Sequence, residues 1–476
     1  MWLRFLFLFI VILGFQTVSP AQEKWSLEKC ITYALENNLQ IKMQELSKQS
    51  NEAGYLKNKM NFLPTLNANA NQGYTLGRSI AALTNEFAES NVRSNNFALS
   101  SNWDIFGGLQ NVNNLRQSYY TLQAGLMDLE KAKNDVALNV ASFYLEILLA
   151  EELYQVAINQ RDLSQIQVDR TKKLYQAGSV AQGNYLEMES QLASDEMQLV
   201  TAQNSLDLAK LSLVQLLELG INDSIDIEKP VLADPDTVFP TINPQQVYEE
   251  AKRNLPNMKS VEFKMLAAEK GLAAARGYRS PRLSLSGTFA TGYSSQRQSI
   301  TDIMLDTPYI SGYVDDGSGN QLPVYTYNYK YNYKTTDFNQ QLKDNVSKSL
   351  SVNLTIPIFN NWQANNAVST AKINALNAKY QYDVANNQLV KEIRQVYNDA
   401  VAAYKKYIAS KKAEKATSES FKYTEQRFNV GLANTYDFNL SKTNLIKAQS
   451  EAVKSKFEYI FKLKILDFYS GKPFKL

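Results

Sequence analysis

The feature that most constrains the fold of this 476-residue chain is that its sequence pattern occurs twice. Four pairs of segments carry the match: 37–41 with 254–258 and 63–66 with 280–283 at an offset of 217, then 103–108 with 356–361 and 174–178 with 427–431 at an offset of 253. The offset changes once, by 36 residues, so the second copy carries one insertion. A duplication that otherwise keeps its register predicts two structurally equivalent halves.

Each copy is predicted to contain a helix, a strand hairpin, a very long helix, a short turn and a further helix. The helices are expected at about 26–60, 107–174, 182–219, 244–277, 362–428 and 434–468. The first repeat is therefore 22–219 and the second is 244–476, with a longer external loop at about 294–349. Between them, 220–243 is predicted to be a linker because it contains three prolines.

The long helices have a sustained seven-residue spacing. Between Leu115 and Arg161, twelve of the fourteen heptad positions are apolar or aromatic. Such a repeat predicts left-handed coiled packing against neighbouring helices. The two shorter helices of each copy, laid end to end, match the long one in length, so we expect four helical columns per chain.

Four strands are predicted from alternation of apolar and polar residues, at about 66–71, 97–105, 283–289 and 350–358. In the second strand, for example, Phe97, Leu99, Trp103 and Ile105 are expected to face away from the polar residues between them. Runs of about ten residues fit tilted membrane-spanning strands. A half-buried sheet in a soluble protein gives the same alternation, so that alternative stays open.

The N-terminus is typical of a secretory signal peptide. Residues 5–15 are apolar and are followed by small residues near the predicted cleavage after position 21. Eleven apolar residues are too few to span about 30 Å of hydrocarbon. Export combined with amphipathic strands favours strands that face membrane lipid. Four strands cannot close a barrel alone, and three chains would supply twelve, so we expect a homotrimer.

The composition excludes many other functions. The chain has no histidine and one cysteine, which removes histidine-ligated metal sites, catalytic pairs that need histidine and intramolecular disulfides. A formal charge of +3 gives no electrostatic footprint for nucleic acid. No carboxylate pair stands out at a fixed spacing, so an enzyme is not expected, and neither is a cofactor.

Several features together resemble the TolC family of outer-membrane efflux proteins. The chain has a signal peptide, and Trp25 stands just before a helix that contains Ala34 and the Asn-Asn pair at 37–38. A predicted strand starts at 63–64 and another ends at 105–108. In both copies an aromatic residue stands three positions before a glycine. The resemblance covers essentially the whole mature chain. It implies a fold that is mainly α with membrane β: a trimeric channel-tunnel with a 12-stranded β-barrel continued by a 12-helix α-barrel. It also implies contact with outer-membrane lipid, a periplasmic adaptor (membrane fusion) protein and an inner-membrane pump such as an RND or ABC transporter.

Two turns are expected to form the closed end of such a tunnel, because they are the helix ends farthest from the strands. Tyr175 and Gly178 mark the first turn, and Phe428 and Gly431 mark the second; these are the candidate docking residues. Glycine at these places also fits an ordinary helix cap without any docking role.

The resemblance further implies a constricting acidic ring just after the second turn, and Asp437 fits that position. Its counterpart in the first copy is Asn184, and Glu187 is a possible second acidic position. The position one turn after Asp437 is Leu440, which departs from the family's acidic pattern. A solvated aspartate favoured by the helix dipole remains the alternative interpretation of Asp437.

The sequence favours an outer-membrane conduit for efflux or type I secretion, extending into the periplasm. The alternative is a periplasmic coiled-coil structural or adaptor protein without a pore. That class explains export and heptads, but it does not explain two hairpins of ten-residue amphipathic strands placed before the long helices.

Overall fold

The computed structural model describes residues 24–80, 87–220, 225–230 and 239–472. The predicted signal peptide, 1–21, and most of 221–238 in the predicted linker lie outside the described residues. In chain order the helices are α1 (Leu27–Asn37), α2 (Leu39–Met60), α3 (Gln110–Gln176), α4 (Gln182–Leu216), α5 (Pro244–Asn254), α6 (Pro256–Arg276), α7 (Phe338–Asp344), α8 (Gln363–Asn429) and α9 (Thr435–Tyr469). The strands are β1 (Thr65–Ile80), β2 (Phe87–Gly107), β3 (Arg282–Ser294), β4 (Gln298–Leu305), β5 (Tyr309–Asp315), β6 (Gln321–Thr326), β7 (Tyr329–Thr335) and β8 (Ser347–Thr355).

The first helix of each repeat is broken where the sequence predicted a continuous helix. In the second repeat, Pro256 forces Leu255 out of the helical region, with ψ of 127°. The first repeat breaks at the equivalent residue without proline. There Asn38 is extended, its side chain accepts from the amide of Gln40 at 2.9 Å, and it donates to the carbonyl of Leu216 at 3.2 Å. Two different local chemistries therefore give the same break.

The chain divides into two compact units, and the larger one is mainly helical in its described residues, which fall within 24–53, 119–268 and 374–472. Its main core joins α1, α3 and α4 and includes heptad residues such as Val136, Val140 and Ile147, each almost fully buried. The predicted heptad spacing therefore does mark the packed side of α3. Cys30 lies inside this core, and burial raises the pKa of its thiol to about 12.

The second unit, 54–118 and 269–373, contains the sheet. Four antiparallel strands lie in the order β1-β2-β3-β8, so β1 and β8 are its two edges. The register shifts between Asp104 and Phe106, which places Ile105 in a bulge and ends the simple alternation predicted there. The last strand ends at Thr355, before Pro357, rather than continuing to 358.

The first hairpin is longer than predicted. Strand β1 continues to Ile80 and β2 begins at Phe87, and residues 75–80 pair in register with 87–92, for example Thr75 with Val92, so most of the segment between the two predicted strands is itself strand. Asn, Ser and Arg are common there, so apolar alternation is weak and the sequence pattern missed these strands.

The insertion of the second repeat, predicted as a longer external loop, forms a hairpin arm. Strand β4 pairs with β7, and β5 pairs with β6 beyond it. Helix α7 closes the base of the arm through Gln341, which is fully buried. Its amide donates to the carbonyls of Ser294 at 2.9 Å and Thr336 at 2.8 Å and accepts from the amide of Ser294 at 3.0 Å. Within the described residues, no helix is long and apolar enough to cross a membrane.

Candidate functional site

The two turns between the long and short helices have the same backbone geometry. Gly178 has φ of 75° and Gly431 has φ of 80°, the left-handed conformation that glycine tolerates best. The amide of Ser179 bonds to the carbonyl of Leu174 at 2.8 Å, and the amide of Gly178 bonds to Tyr175 at 2.9 Å. At the second turn, the amide of Leu432 bonds in the same way to the carbonyl of Arg427, and the amide of Gly431 bonds to that of Phe428. Both turns are Schellman caps, which satisfy the last carbonyls of α3 and α8.

The aromatic residue before each glycine stacks on the helix that follows. The rings of Tyr175 and Tyr185 are parallel, with centroids 5.9 Å apart. At the equivalent positions, Phe428 stacks on Phe438 at 4.7 Å. The second pair is better buried, since Phe438 also contacts Phe421 within an apolar cluster, whereas Tyr175 is exposed. The aromatic residues selected from the sequence, Tyr175 and Phe428, therefore each contact the helix that follows the turn.

The candidate constriction residues lie near the start of each short helix, Asn184 and Asp437 in the first turn and Glu187 in the second. Asn184 and Glu187 are exposed on α4, and Asp437 is exposed on α9. Asn434 caps α9 by accepting from the amide of Asp437 at 2.7 Å. An acidic residue at this position also interacts favourably with the helix dipole, so the geometry accommodates both interpretations given above.

A buried polar cluster near these turns was not predicted. Lys442 of α9 forms an ion pair with Asp195 of α4, with Nζ to Oδ2 at 2.5 Å, and both side chains are 2% exposed. Ser164 of α3 donates to Asp195 and accepts from Lys442, and Gln160 also donates to Asp195. The cluster thus joins three helices. The sequence did carry a signal: Lys442 and Asp195 each interrupt an apolar stripe, at 438, 442 and 445 on α9 and at 188, 192 and 195 on α4.

The end of α8 is also bonded directly to α3. The guanidinium of Arg170, on α3, donates to the backbone carbonyl of Asn429 at 2.8 Å and to its side-chain oxygen. Asn429 is the last residue of α8. The arginine therefore bonds to a carbonyl that the end of α8 leaves without an intrahelical partner.

Comparison with known proteins settles the family. The sequence model of the family described as "Outer membrane efflux protein" matches residues 30–218 and 247–460. The chain belongs to the outer membrane efflux protein family. Members are channel and efflux proteins rather than enzymes, and the protein resides in the outer membrane and extends into the periplasm. The family resemblance inferred from the sequence is confirmed.

The curated relatives are distant. Outer membrane protein TolC of Escherichia coli is 24% identical over 348 residues, which cover 71% of this chain and 62% of that protein. The pyoverdine export outer membrane protein OpmQ of Pseudomonas putida is 25% identical over 215 residues, covering 45% of this chain and 43% of OpmQ. This chain therefore spans about three fifths of the length of the TolC it matches.

Solved structures support the fold over nearly the whole chain. The outer membrane protein VceC of Vibrio cholerae superposes with a TM-score of 0.74 at 15% identity, covering 94% of this chain and 97% of VceC. The CmeC outer membrane channel of Campylobacter jejuni superposes with a TM-score of 0.73 at 18% identity, covering 94% of this chain and 86% of CmeC. The fold class implied by the family resemblance, a channel-tunnel subunit with long helices and a membrane sheet, is confirmed.

Proposed function

We propose that the protein is the outer-membrane conduit of a tripartite efflux or type I secretion system. It passively conducts substrates, delivered by an inner-membrane pump such as an RND or ABC transporter, across the periplasm and outer membrane. The observation that carries this proposal is the four-stranded antiparallel sheet of this efflux-family chain. Its two edge strands, β1 and β8, each have a strand partner on one side only. Exposed edges invite pairing with another chain.

Three copies would close these edges into a barrel of twelve strands. Two copies would give eight strands, whose interior is filled by side chains, whereas twelve leave an open lumen. Alternate residues of the strands are Asn, Ser and Thr, which suit a wet interior. The homotrimer thereby supplies the continuous aqueous path that a conduit needs.

The turns around Gly178 and Gly431 are the proposed periplasmic end, where a periplasmic adaptor protein docks. Their rigid backbone caps and stacked aromatic pairs, Tyr175 with Tyr185 and Phe428 with Phe438, present fixed surfaces for such a partner. Asp437 from each copy would form the constricting acidic ring, with Glu187 as a second acidic position. Exposure of both carboxylates is compatible with a ring that faces water and selects cations.

Single-channel conductance in a planar bilayer tests the conduit and the ring together. Wild type is expected to give discrete, cation-preferring openings, and Asp437→Ala should give larger or less selective ones. The repeat offers a matched exchange: Asp437→Asn removes the charge by installing the residue found at position 184, and Asn184→Asp adds it there. Cation preference should fall in the first and rise in the second.

Unchanged selectivity in both exchange variants would reject the acidic ring while leaving the channel. Failure of well-folded wild-type protein to insert and conduct would reject the conduit itself. Glu187→Gln tests whether the second acidic position contributes to the ring. If cation selectivity changes only in the Asp437 variants, the ring is formed by α9 alone.

A further inference from the structure

In the first repeat, a segment of the linker covers the start of α1. Trp25, just before α1, forms a parallel bridge with Ile227 of the described linker segment 225–230. The amide of Trp25 donates to the carbonyl of Asp226 at 2.8 Å, and the carbonyl of Trp25 accepts from the amide of Glu228 at 2.9 Å. The linker is therefore added to Trp25 as a very short parallel strand.

The side chains of this segment and a tyrosine of α3 hold it in place. Ile225 and Ile227 are 2% and 3% exposed, and both belong to the main core. The hydroxyl of Tyr144 donates to the carbonyl of Glu228 at 2.6 Å and lies 3.2 Å from the carbonyl oxygen of Trp25. An extended peptide is thus bound here by backbone hydrogen bonds, one tyrosine hydroxyl and two buried isoleucines.

The second repeat has the same framework without this cover. Helices α5 and α8 correspond residue by residue to α1 and α3, at offsets of 217 and 253, so Ile242 and Tyr397 are the counterparts of Trp25 and Tyr144. Among the described residues, the backbone of Ile242 forms no hydrogen bond, and neither does the hydroxyl of Tyr397. The groups that bind the linker in the first repeat therefore have no partner in the described part of the second.

A groove of about 630 Å³ lies at this place in the second repeat. Its lining includes Arg394, Tyr397 and Asn398 of α8 and residues 243–245, which directly follow Ile242. The volume falls within the range of sites that bind ligands in proteins. The groove therefore lies where the first repeat binds the extended linker segment.

The groove differs from its first-repeat counterpart in charge. Arg394 and Asn398 stand where the first repeat has Ala141 and Leu145, which are buried in the main core. Arg394 is exposed, and it forms no ion pair with any residue that the structure describes. A guanidinium beside unpaired backbone groups favours an occupant that carries a carboxylate.

We infer that this groove binds an extended acidic segment of another protein, which adds as a strand beside Ile242. The backbone of that segment bonds to Ile242 and Tyr397 as the linker does in the first repeat, and its carboxylate pairs with Arg394. A second copy of this chain cannot lend its matching segment, 225–228, because the isoleucines of that segment are already buried in their own first repeat. The inference goes beyond the proposed conduit and does not depend on it.

Binding of a labelled peptide tests the groove. The probe is a fluorescein-labelled peptide with the sequence of residues 223–230, added to the full-length protein in lipid nanodiscs. Fluorescence anisotropy should show saturable binding that weakens as salt rises, because Arg394 pairs with a carboxylate. Tyr397→Phe removes one donor and should weaken binding roughly fivefold, and Arg394→Gln should weaken it and reduce its salt dependence. Tyr380→Phe is the matched control, since Tyr380 is an exposed tyrosine of the same helix.

Two modified peptides test the strand addition. Methylation of the amide nitrogen of Glu228 removes the donor for the carbonyl of Ile242 and keeps every side chain, so binding should fall by about tenfold. A benzophenone in place of Ile227 should, on irradiation, form adducts with residues 242–248 or 390–398, which mass spectrometry locates.

Four outcomes would contradict the inference. Equal binding of the methylated peptide would overturn the strand addition. Binding that is unchanged in both Tyr397→Phe and Arg394→Gln would overturn the assignment to this groove. Adducts confined to 140–148 would also overturn it, because the peptide would then have displaced the linker in the first repeat. Absence of saturable binding to protein that still conducts in a planar bilayer would overturn the peptide site and leave the proposed conduit standing.

Discussion

The ammonium of Lys442 lies 2.5 Å from the carboxylate of Asp195, with both side chains 2% exposed to solvent. The pair joins α9 of the second repeat to α4 of the first, and Ser164 adds α3. Apolar residues such as Phe438 and Met188 form the neighbouring cluster on the same helices. This buried ion pair therefore links the two repeats, with Ser164 and Gln160 bonded to the same carboxylate and apolar residues beside them.

We expect the two single substitutions at this pair to be far more costly than the double one. Lys442→Met leaves the Asp195 carboxylate buried without its cation, and Asp195→Leu leaves the Lys442 ammonium buried without its carboxylate. Each should lower stability by about 3 to 5 kcal/mol, whereas the double variant should lie near wild type. The measurement is the thermal midpoint of helix loss by circular dichroism on the purified protein. Additive effects in the double variant would show that the pair does not act as a unit.

Stability should also depend on pH through Lys442. Burial lowers the pKa of Lys442 below that of an ordinary lysine, and the carboxylate of Asp195 offsets part of this effect. Between the lowered folded pKa and the unfolded value of about 10.4, the unfolded chain binds a proton that the folded chain does not. The contribution of Lys442 to stability therefore increases as pH rises through this window.

The comparison is wild type against Lys442→Met in pH steps from neutral to 10, with chemical or thermal unfolding at each step. The difference in stability should increase in favour of wild type as pH rises. A difference that falls with pH would mean that Asp195 outweighs desolvation and raises the lysine pKa.

Much of this architecture was readable from the sequence because it is periodic or repeated. The heptad positions around Val136 and Ile147 identified the buried side of α3, and the two offsets located both turns. The break at Asn38 was not readable, because it depends on a side-chain bond to Leu216, 178 residues away. The bulge at Ile105 and the partnership of Lys442 with Asp195 depend in the same way on elements that meet only in the folded chain.

The turn glycines should be required for their backbone conformation alone. A β-carbon at Gly178 or Gly431 would meet nothing within 4 Å, so Gly→Ala there costs only the left-handed strain, about 1 kcal/mol each. Gly183 is the matched control: it is equally open, but it lies in α4 with an ordinary backbone, so Gly183→Ala should stabilise by about 0.5 kcal/mol. Thermal midpoints of the three variants give the sign directly. Destabilisation by Gly183→Ala as large as that by Gly178→Ala would point to a packing or partner role for both.

The base of the hairpin arm should depend on Gln341. Its amide makes three hydrogen bonds that bind α7 to the end of β3 and to Thr336, and it is fully buried. Gln341→Leu removes all three and leaves buried backbone groups without partners, at a cost of roughly 1 to 3 kcal/mol for each. The adjacent Gln340→Leu is the control, since that side chain is exposed and bonds only to Asp344 of the same helix.

The arm lies between β3 and the edge strand β8, so its release should show locally rather than globally. Limited proteolysis of the membrane-embedded protein should cut within 295–346 faster in Gln341→Leu, while Gln340→Leu and wild type stay alike. The four-stranded sheet has its own pairing, for example Leu285 with Val352, so conductance should persist in the Gln341 variant. Equal proteolysis in all three proteins would show that the β4–β7 and β5–β6 pairings hold the arm without this anchor.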